Sequence, residues 1–302
     1  MSLNLHLLRL FAAVAHHRGF SRAAEALHIS QPAVSRGVRE LEEQVGNRLL
    51  ERGPDGVAPT EAGRILLRHA EPIFAAERQA EEDLAALRGL SAGSLSIGAS
   101  TTISTWYLPP LLSAYHHAHP GVRLRLSTAN TSEIVDLLVN RNLDVALVEG
   151  PIAHPSIRFR PWRKDRLVWI ASPDHPLARS AAPLSSDILG GHLIVVREPG
   201  SGTRDVGRAA MREHGIDPQD ILEVESTEAI KQVVVAGMGI ALVSEAAVRP
   251  QLTLGELKIL PVRDFSATRW LNRVSLAGRQ PSAAAAAFER LLDAGQDQDA
   301  AR

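Results

Sequence analysis

Apolar residues recur along this chain with two different periods, and the change of period divides it. Up to about residue 45 the spacing is helical: Leu7, Leu8, Leu10, Phe11 and Val14 make a stripe on a first helix. A short second helix is expected from about Arg22 to Leu27, with Ser21 as its N-cap and His28-Ile29 as the turn after it. Ser30 caps a third helix, in which Pro32 costs little because first-turn amides lack partners in any case. At about 100° per residue, Val34, Val38, Leu41 and Val45 fall within an arc of roughly 60°. Arg36 points almost directly away from that arc, with Ser35 and Arg39 on its flank. One face is therefore core, and the other presents Gln31, Ser35, Arg36 and Arg39. Gln pairs two-pronged with adenine, Arg with guanine, and Ser serves either edge, so this is the layout of a helix that reads a DNA major groove. Two short extended stretches, at 49–52 and 57–59, surround the Pro54-Asp55-Gly56 turn and add a small hairpin after the three helices.

From Thr60 to about Leu87 the pattern predicts one long helix. Its seam is Leu66, Ala70, Ile73, Ala80, Leu84 and Leu87, broken at Glu77. No neighbouring element is evident to cover that seam, so a second copy of the chain is the expected partner; a solvated linker helix is the plainer alternative. Pro72 is expected to kink the helix, and Gly89 with Ser91-Ala92-Gly93 to end it.

Beyond Gly93 the period alternates. Strands are expected at Leu95–Gly98, Val122–Ser127 and Asp144–Val148, with helices at Trp106–His117 and Ser132–Val139. A second set holds strands at Val168–Ala171, Leu193–Val196 and Ile240–Val243, with helices at Arg204–Glu213 and Thr227–Ala236. Such alternation implies open α/β sheets with ligands at the carboxyl ends of the strands, and two sets imply two lobes with a cleft between them. Three loops lead toward that cleft: Ser100-Thr101-Thr102-Ile103-Ser104-Thr105, Glu198-Pro199-Gly200-Ser201-Gly202-Thr203, and Ser226-Thr227. Helix N-termini offer free amides and partial positive charge, and hydroxyls add donors without a competing charge, which suits a small anion. Each loop taken singly is explained by helix capping; five hydroxyls in six positions are not.

Composition narrows the picture. The chain has 302 residues and no cysteine, so it is long enough for two or three domains and holds neither disulfides nor thiolate zinc sites. The apolar residues of the N-terminus are periodic and interrupted by His6, Arg9, His16 and His17, unlike a signal peptide. The longest apolar run, Val233–Val243, is too short for a membrane span, so a cytoplasmic chain without membrane contact is expected. Charge gives no support to DNA binding: residues 1–70 carry a net +2 and the rest a net −3. Few phosphate contacts per protomer are expected, with affinity recovered by holding several half-sites at once.

The segments SQPAVSR at 30–36, LEEQVGNRLLER at 41–52 and PTEAG at 59–63, in that order and spacing, resemble the LysR-type transcriptional regulators. The resemblance implies an α/β chain with an N-terminal winged helix-turn-helix (1–59), a linker and dimerisation helix (60–89) and a two-lobed effector domain like periplasmic solute-binding proteins (90–302). Its first lobe would span about 90–162 and 268–294, its second about 163–267, with a disordered tail at 295–302. The chain would cross between lobes near Pro161–Arg166 and Asp264–Arg269. The implied DNA-binding set is Ser30, Gln31, Pro32, Ser35, Arg36, Arg39 and Arg52; the implied effector set is Ser100, Thr101, Thr102, Thr131, Glu149, Ser201, Gly202, Thr203 and Thr227. Implied partners are double-stranded operator DNA, a small anionic effector, RNA polymerase and further copies of the chain in a dimer of dimers. At the wing this sequence departs from the family, with Gly53, Pro54 and Asp55 where polar or basic residues are common. The stretch YLPPLLSAYHHAHPGVRLRLSTANTSEIVDLLVNRNLDVALVEGP resembles members that control carbon fixation and sulfur or sulfite assimilation.

Other chemistry has less to offer. His116, His117 and His119 share a helix, but without a carboxylate pattern beside them no metal site is expected, and no cofactor motif is present. GSGT at 200–203 and its neighbours lack the Gly-Lys-Ser/Thr of a phosphate loop. An enzyme on the same two-lobed fold is the competing class, and an architectural DNA binder a third. The groove-reading helix argues against the first and the cleft against the second.

Overall fold

The computed structural model describes residues 3–53, 56–86, 93–150 and 154–299. It divides into two compact units, Met1–Glu81 and Glu82–Arg302.

In the first unit, helices α1 (Leu5–His17), α2 (Phe20–Leu27) and α3 (Gln31–Val45) precede strands β1 (Leu50–Gly53) and β2 (Gly56–Pro59), followed by the long helix α4 (Glu61–Ala86). Leu8, Phe11, Val14, Ala23, Val34 and Leu41 are fully buried together, as the helical stripes require. Gly37 permits the close crossing of α1 and α3: a Cβ there would lie 2.3 Å from Leu10 Cδ1. Of the two expected N-caps, Ser30 takes the position and Ser21 does not. Ser21 lies inside α2, whose N-cap is Gly19, and the Ser30 side chain makes no capping hydrogen bond. His28 takes a left-handed backbone (φ 55°) in the turn before α3. β1 and β2 pair antiparallel, with Leu50 opposite Pro59. Pro54 and Asp55 of the expected turn lie outside the described residues.

The linker seam is partly covered within the protomer, contrary to expectation. Ala70 is buried in the helix-turn-helix core, and Leu66, Leu67, Ile73 and Phe74 pack against it. The break at Glu77 has a cause, an ion pair with Arg9 of α1. Of the outer seam, Ala80 and Leu84 are exposed, while Leu87 and the expected helix end at 89–92 lie outside the described residues. α4 runs through Pro72 as one helix. No helix among the described residues is long and apolar enough to cross a membrane.

The second unit is built on a nine-stranded sheet. Its elements are β3 (Gly93–Ser100), α5 (Leu108–Ala118), β4 (Val122–Ala129), α6 (Thr131–Val139), β5 (Val145–Glu149), β6 (Ile157–Ala171), β7 (Leu193–Arg197), α7 (Gly202–Glu213), β8 (Asp220–Val224), α8 (Thr227–Val235), β9 (Ile240–Ser244), α9 (Glu245–Leu254), β10 (Lys258–Ile259), β11 (Ala267–Leu276) and α10 (Ala283–Asp299). The strand order is β4-β3-β5-β11-β6-β9-β7-β8, with β10 pairing β6. Within each lobe the strands on the flanks are parallel; the long strands β6 and β11 pair antiparallel and join the lobes. Pro161–Arg166 lies within β6 and Ala267–Arg269 opens β11, and the register of the pair shifts at Leu271/Asn272.

Both faces of each lobe are covered, which explains apolar runs without alternation. Val145 and Leu147 enter one cluster and Ala146 and Val148 another. Ile194, Ile240 and Leu242 likewise separate from Val195, Ala241 and Val243. Three expectations need correction. The helix expected from Trp106 begins as a π-turn at Ile103–Tyr107 and continues as α5. The stretch from 295, expected to be disordered, is helical to Asp299 in α10. β8 and α9 appear where no element was expected.

Candidate functional site

α3 presents Gln31, Pro32, Arg36 and Arg39 as exposed residues, Ser35 as half-buried, and Ser30 exposed just before it. Val34, Val38 and Leu41 fill the opposite face. The sequence pattern therefore meets the geometry of a groove-reading helix: one polar face in its first turns, held by one apolar face. Arg52 lies on β1 of the hairpin.

In the second unit the cleft is closed, and the protein's own side chains fill it. At its centre is Glu149, the last residue of β5, which is 1 % exposed. Thr102, at the helix start that directly follows β3, donates its hydroxyl to Glu149 Oε1 at 3.3 Å. Thr203, in the first turn of α7 in the other lobe, donates to the same oxygen at 3.1 Å. Thr131, at the start of α6, donates to the Glu149 carbonyl at 3.0 Å. The first turn of α6 is fixed by a reciprocal cap, in which Asn130 Oδ1 accepts from Glu133 N and Glu133 Oε2 accepts from Asn130 N. Ser132 N then donates to the Gly200 carbonyl of the second lobe at 3.2 Å.

The cation of the cluster is Arg269, on β11 and 5 % exposed. Its Nη1 donates to Thr203 Oγ1 at 2.8 Å, its Nε to Asp165 Oδ2 at 2.8 Å, and its Nη2 lies 2.6 Å from Glu149 Oε2. That last contact is an ion pair without hydrogen-bond alignment, because no donor hydrogen is aimed at Oε2. Asp165, on β6, also accepts from Ser244 Oγ (2.7 Å) and from the Tyr107 hydroxyl (2.8 Å). Burial first, and the Asp165 carboxylate next, push the Tyr107 hydroxyl's pKa up, which keeps it a donor. The cluster thus holds two carboxylates against one guanidinium. The hydroxyls add donors without charge, as expected, and the charges come from Glu149, Asp165 and Arg269.

Of the expected effector residues, Thr102, Thr131, Glu149, Gly202 and Thr203 come together. The approach at Gly202 is so close that a Cβ would lie 1.9 Å from the Glu149 carbonyl oxygen. Ser100 and Ser201 are each 1 % exposed, and their hydroxyls make no hydrogen bond among the described residues. Thr101 is half-buried, its carbonyl accepting from Ser104 Oγ. Thr227 belongs to a neighbouring cluster, where it accepts from Arg197 Nη1 at 2.9 Å while Arg197 holds Glu198 through Nε and Nη2. The sequence reading did not find Arg269, Asp165, Arg197, Tyr107 or Ser244. It also missed Lys231 of α8, fully buried, whose Nζ pairs with Glu228 (2.7 Å), donates to the Ala247 carbonyl (2.9 Å) and lies 4.7 Å from the Trp106 ring centroid of the first lobe. His117 bonds the Ser113 carbonyl and His119 packs on Tyr115.

A three-helix reader with a hairpin wing, and a two-lobed domain whose cleft lies at strand ends, define a ligand-responsive DNA-binding regulator. The comparisons agree. Residues 5–64 match the bacterial regulatory helix-turn-helix protein, lysR family, and residues 88–296 match the LysR substrate binding domain. The chain belongs to the LysR family of transcriptional regulators. It is 36 % identical over 292 residues to the RuBisCO operon transcriptional regulator of Allochromatium vinosum, covering 97 % of this chain and 96 % of that protein. It is 32 % identical over 268 residues to the HTH-type transcriptional regulator CysL of Bacillus subtilis, covering 89 % of each. These relatives match the carbon-fixation and sulfur subgroup, and they are regulators, not enzymes. Among solved structures, the Synechocystis PCC6803 CcmR regulatory domain in complex with 2-PG superposes with a TM-score of 0.63 at 31 % identity, covering 68 % of this chain and 97 % of that one.

Proposed function

We propose that this regulator senses a small oxyanion between the lobes of its effector domain and changes its grip on operator DNA in response. The observation that carries the reading is the convergence on one carboxylate. Hydroxyls from helix starts in opposite lobes, Thr102 and Thr203, reach the same Glu149 oxygen, and Arg269 flanks it. A set of donors that already holds a carboxylate is built for oxyanions. The bound 2-PG in the related CcmR domain points to the same class of ligand. The proposed effector-binding set is Ser100, Thr101, Thr102, Thr131, Ser201, Gly202 and Thr203, joined by Arg269 and gathered around the Glu149 carboxylate; Thr227 acts from the Arg197 cluster.

On this reading Gln31, Ser35, Arg36 and Arg39 face base edges, while Ser30, Pro32 and Arg52 lie toward the backbone. The chain works in the cytoplasm with RNA polymerase and further copies of itself. Two features support a dimer of dimers. Leu84 of α4 is 65 % exposed. The two outer strands of the sheet are complementary: β4 exposes Arg123, Arg125 and Leu126, and β8 exposes Asp220, Ile221 and Glu223.

Calorimetric titration of the full chain with sulfite, sulfate, phosphate and 2-PG tests the effector reading. Thr102→Val and Thr203→Val keep side-chain shape and delete a donor, and each should weaken binding by about tenfold, the worth of one charge-assisted hydrogen bond. Unchanged affinity in both variants would place the effector elsewhere.

A further inference from the structure

We infer that Glu149 is a built-in competitor for the effector's donors, so that an oxyanion binds by displacing this carboxylate from Thr102, Thr203 and Arg269. The inference rests on the oxyanion reading of the cleft and adds how the cleft is regulated.

Three observations carry it. First, the hydroxyls of Thr102 and Thr203 are occupied by Glu149 Oε1, and Arg269 Nη2 stands against Oε2. An arriving anion finds these donors taken. Second, the fit is incomplete. Glu149 Oε2 meets Arg269 as an ion pair without an aligned hydrogen bond, and the buried hydroxyls of Ser100 and Ser201, each two residues from an occupied threonine, make no hydrogen bond among the described residues. Buried polar atoms without partners are costly. A planar carboxylate offers two oxygens to a set of two threonines, an arginine and two further serines, whereas a tetrahedral oxyanion offers more acceptors in more directions. Third, the charge is already negative. Among the described residues the cation that contacts both Glu149 and Asp165 is Arg269, and Thr102, Thr131, Thr203, Ser244 and Tyr107 supply neutral groups. An anion added beside both carboxylates would face their repulsion in a water-poor site. An anion that takes Glu149's place would not. The effector is therefore of the tetrahedral oxyanion class, with more acceptor oxygens than the side chain it replaces.

The test is calorimetry on the full chain with inorganic phosphate, sulfate and 2-PG as probes. Glu149→Gln keeps the side chain's shape, leaves Arg269 paired with Asp165 and removes the charged competitor. Asp165→Asn makes the same change in charge but frees neither threonine. Glu149→Ala guards against a folding defect in one variant, and melting curves check all three. Glu149→Gln should bind the best probe roughly ten- to a hundredfold more tightly than wild type, because the two hydrogen bonds from Thr102 and Thr203 lose their charge assistance and are given up at lower cost. Asp165→Asn should gain clearly less. An equal gain in both would reduce the effect to net charge and overturn the competition. Weaker or unchanged binding in the Glu149 variants, with wild type still binding, would overturn it while leaving the oxyanion reading intact. No binding by any folded form would overturn both.

Discussion

Replacing Gly202 with alanine tests the closed lobes with a single methyl group. Its Cβ would lie 1.9 Å from the Glu149 carbonyl oxygen, 2.6 Å from the carbonyl carbon and 2.9 Å from Cγ. Ordinary contact begins near 3.4 Å, so the start of α7 and the end of β5 must part by roughly 1.5 Å. Backbone stands on both sides, so no rotamer relieves the clash. Within its own lobe the change is benign. Gly202 is not among the positive-φ glycines, and alanine is favoured over glycine in a helix by about 1 kcal/mol. Parting the lobes breaks Thr203 to Glu149 (3.1 Å) and strains Arg269 to Thr203 (2.8 Å) and Ser132 to Gly200 (3.2 Å). Two of these bonds involve charged groups at roughly 1.5–3 kcal/mol each and one is neutral at about 1 kcal/mol, so complete loss of all three, the upper limit, costs the closed state roughly 4–7 kcal/mol. About 5.5 kcal/mol inverts a population from 99:1 to 1:99. Hydrogen exchange read by mass spectrometry should show faster exchange around 130–134 and 200–204. The central strands β7 and β9 should keep wild-type protection and the circular dichroism should be unchanged. Wild-type protection at both cleft segments would refute the claim that this contact holds the lobes together.

Three further outcomes are expected. Arg36→Ala should weaken operator binding by about 1–3 kcal/mol and relax sequence preference in a binding-site selection; an equal loss on random DNA would make Arg36 a phosphate contact. Leu84→Glu puts a charge on the exposed outer seam of α4, and light scattering should then report a smaller assembly and weaker operator binding, whereas an unchanged mass would remove this seam from the interface. His175 is held below the usual histidine value by burial first and by the His192 ring next, and its Nδ1 accepts from Leu177 N at 3.3 Å. As pH falls the unfolded chain takes the proton first, so stability present above about 6.5 is lost as pH drops toward the folded value. His175→Asn keeps an acceptor and should flatten the fall in Tm between about pH 7 and pH 5; an unchanged slope would assign that fall to other groups.

How legible each part was follows from the range of the interaction that makes it. The helices of the first unit and the alternating elements of the second could be read because burial of one helix face, or of both strand faces, imprints a local period. The stretches carrying Thr102 and Thr203 could be read because hydroxyls gather where a strand ends and a helix begins, whereas Thr131 came only from the family resemblance. Caps were less secure: Ser21 has the right chemistry two residues too late, because Gly19 already turns the chain. The seam of α4 looked free because nothing local says that Ala70 meets α1 and α3. Arg269 and Asp165 were hidden for the same reason. Each is an inward-facing charge in a strand that otherwise alternates, at Ala267-Thr268-Arg269-Trp270-Leu271 and Lys164-Asp165-Arg166-Leu167. That anomaly is visible, yet their hydrogen bond joins positions 104 apart in sequence, and only the pairing of β6 with β11 brings them face to face. A buried charge in an alternating strand therefore signals a partner without naming it. In this chain the partners sit where the two lobes join, so the fold's longest-range contacts and its ligand chemistry meet in the same few residues.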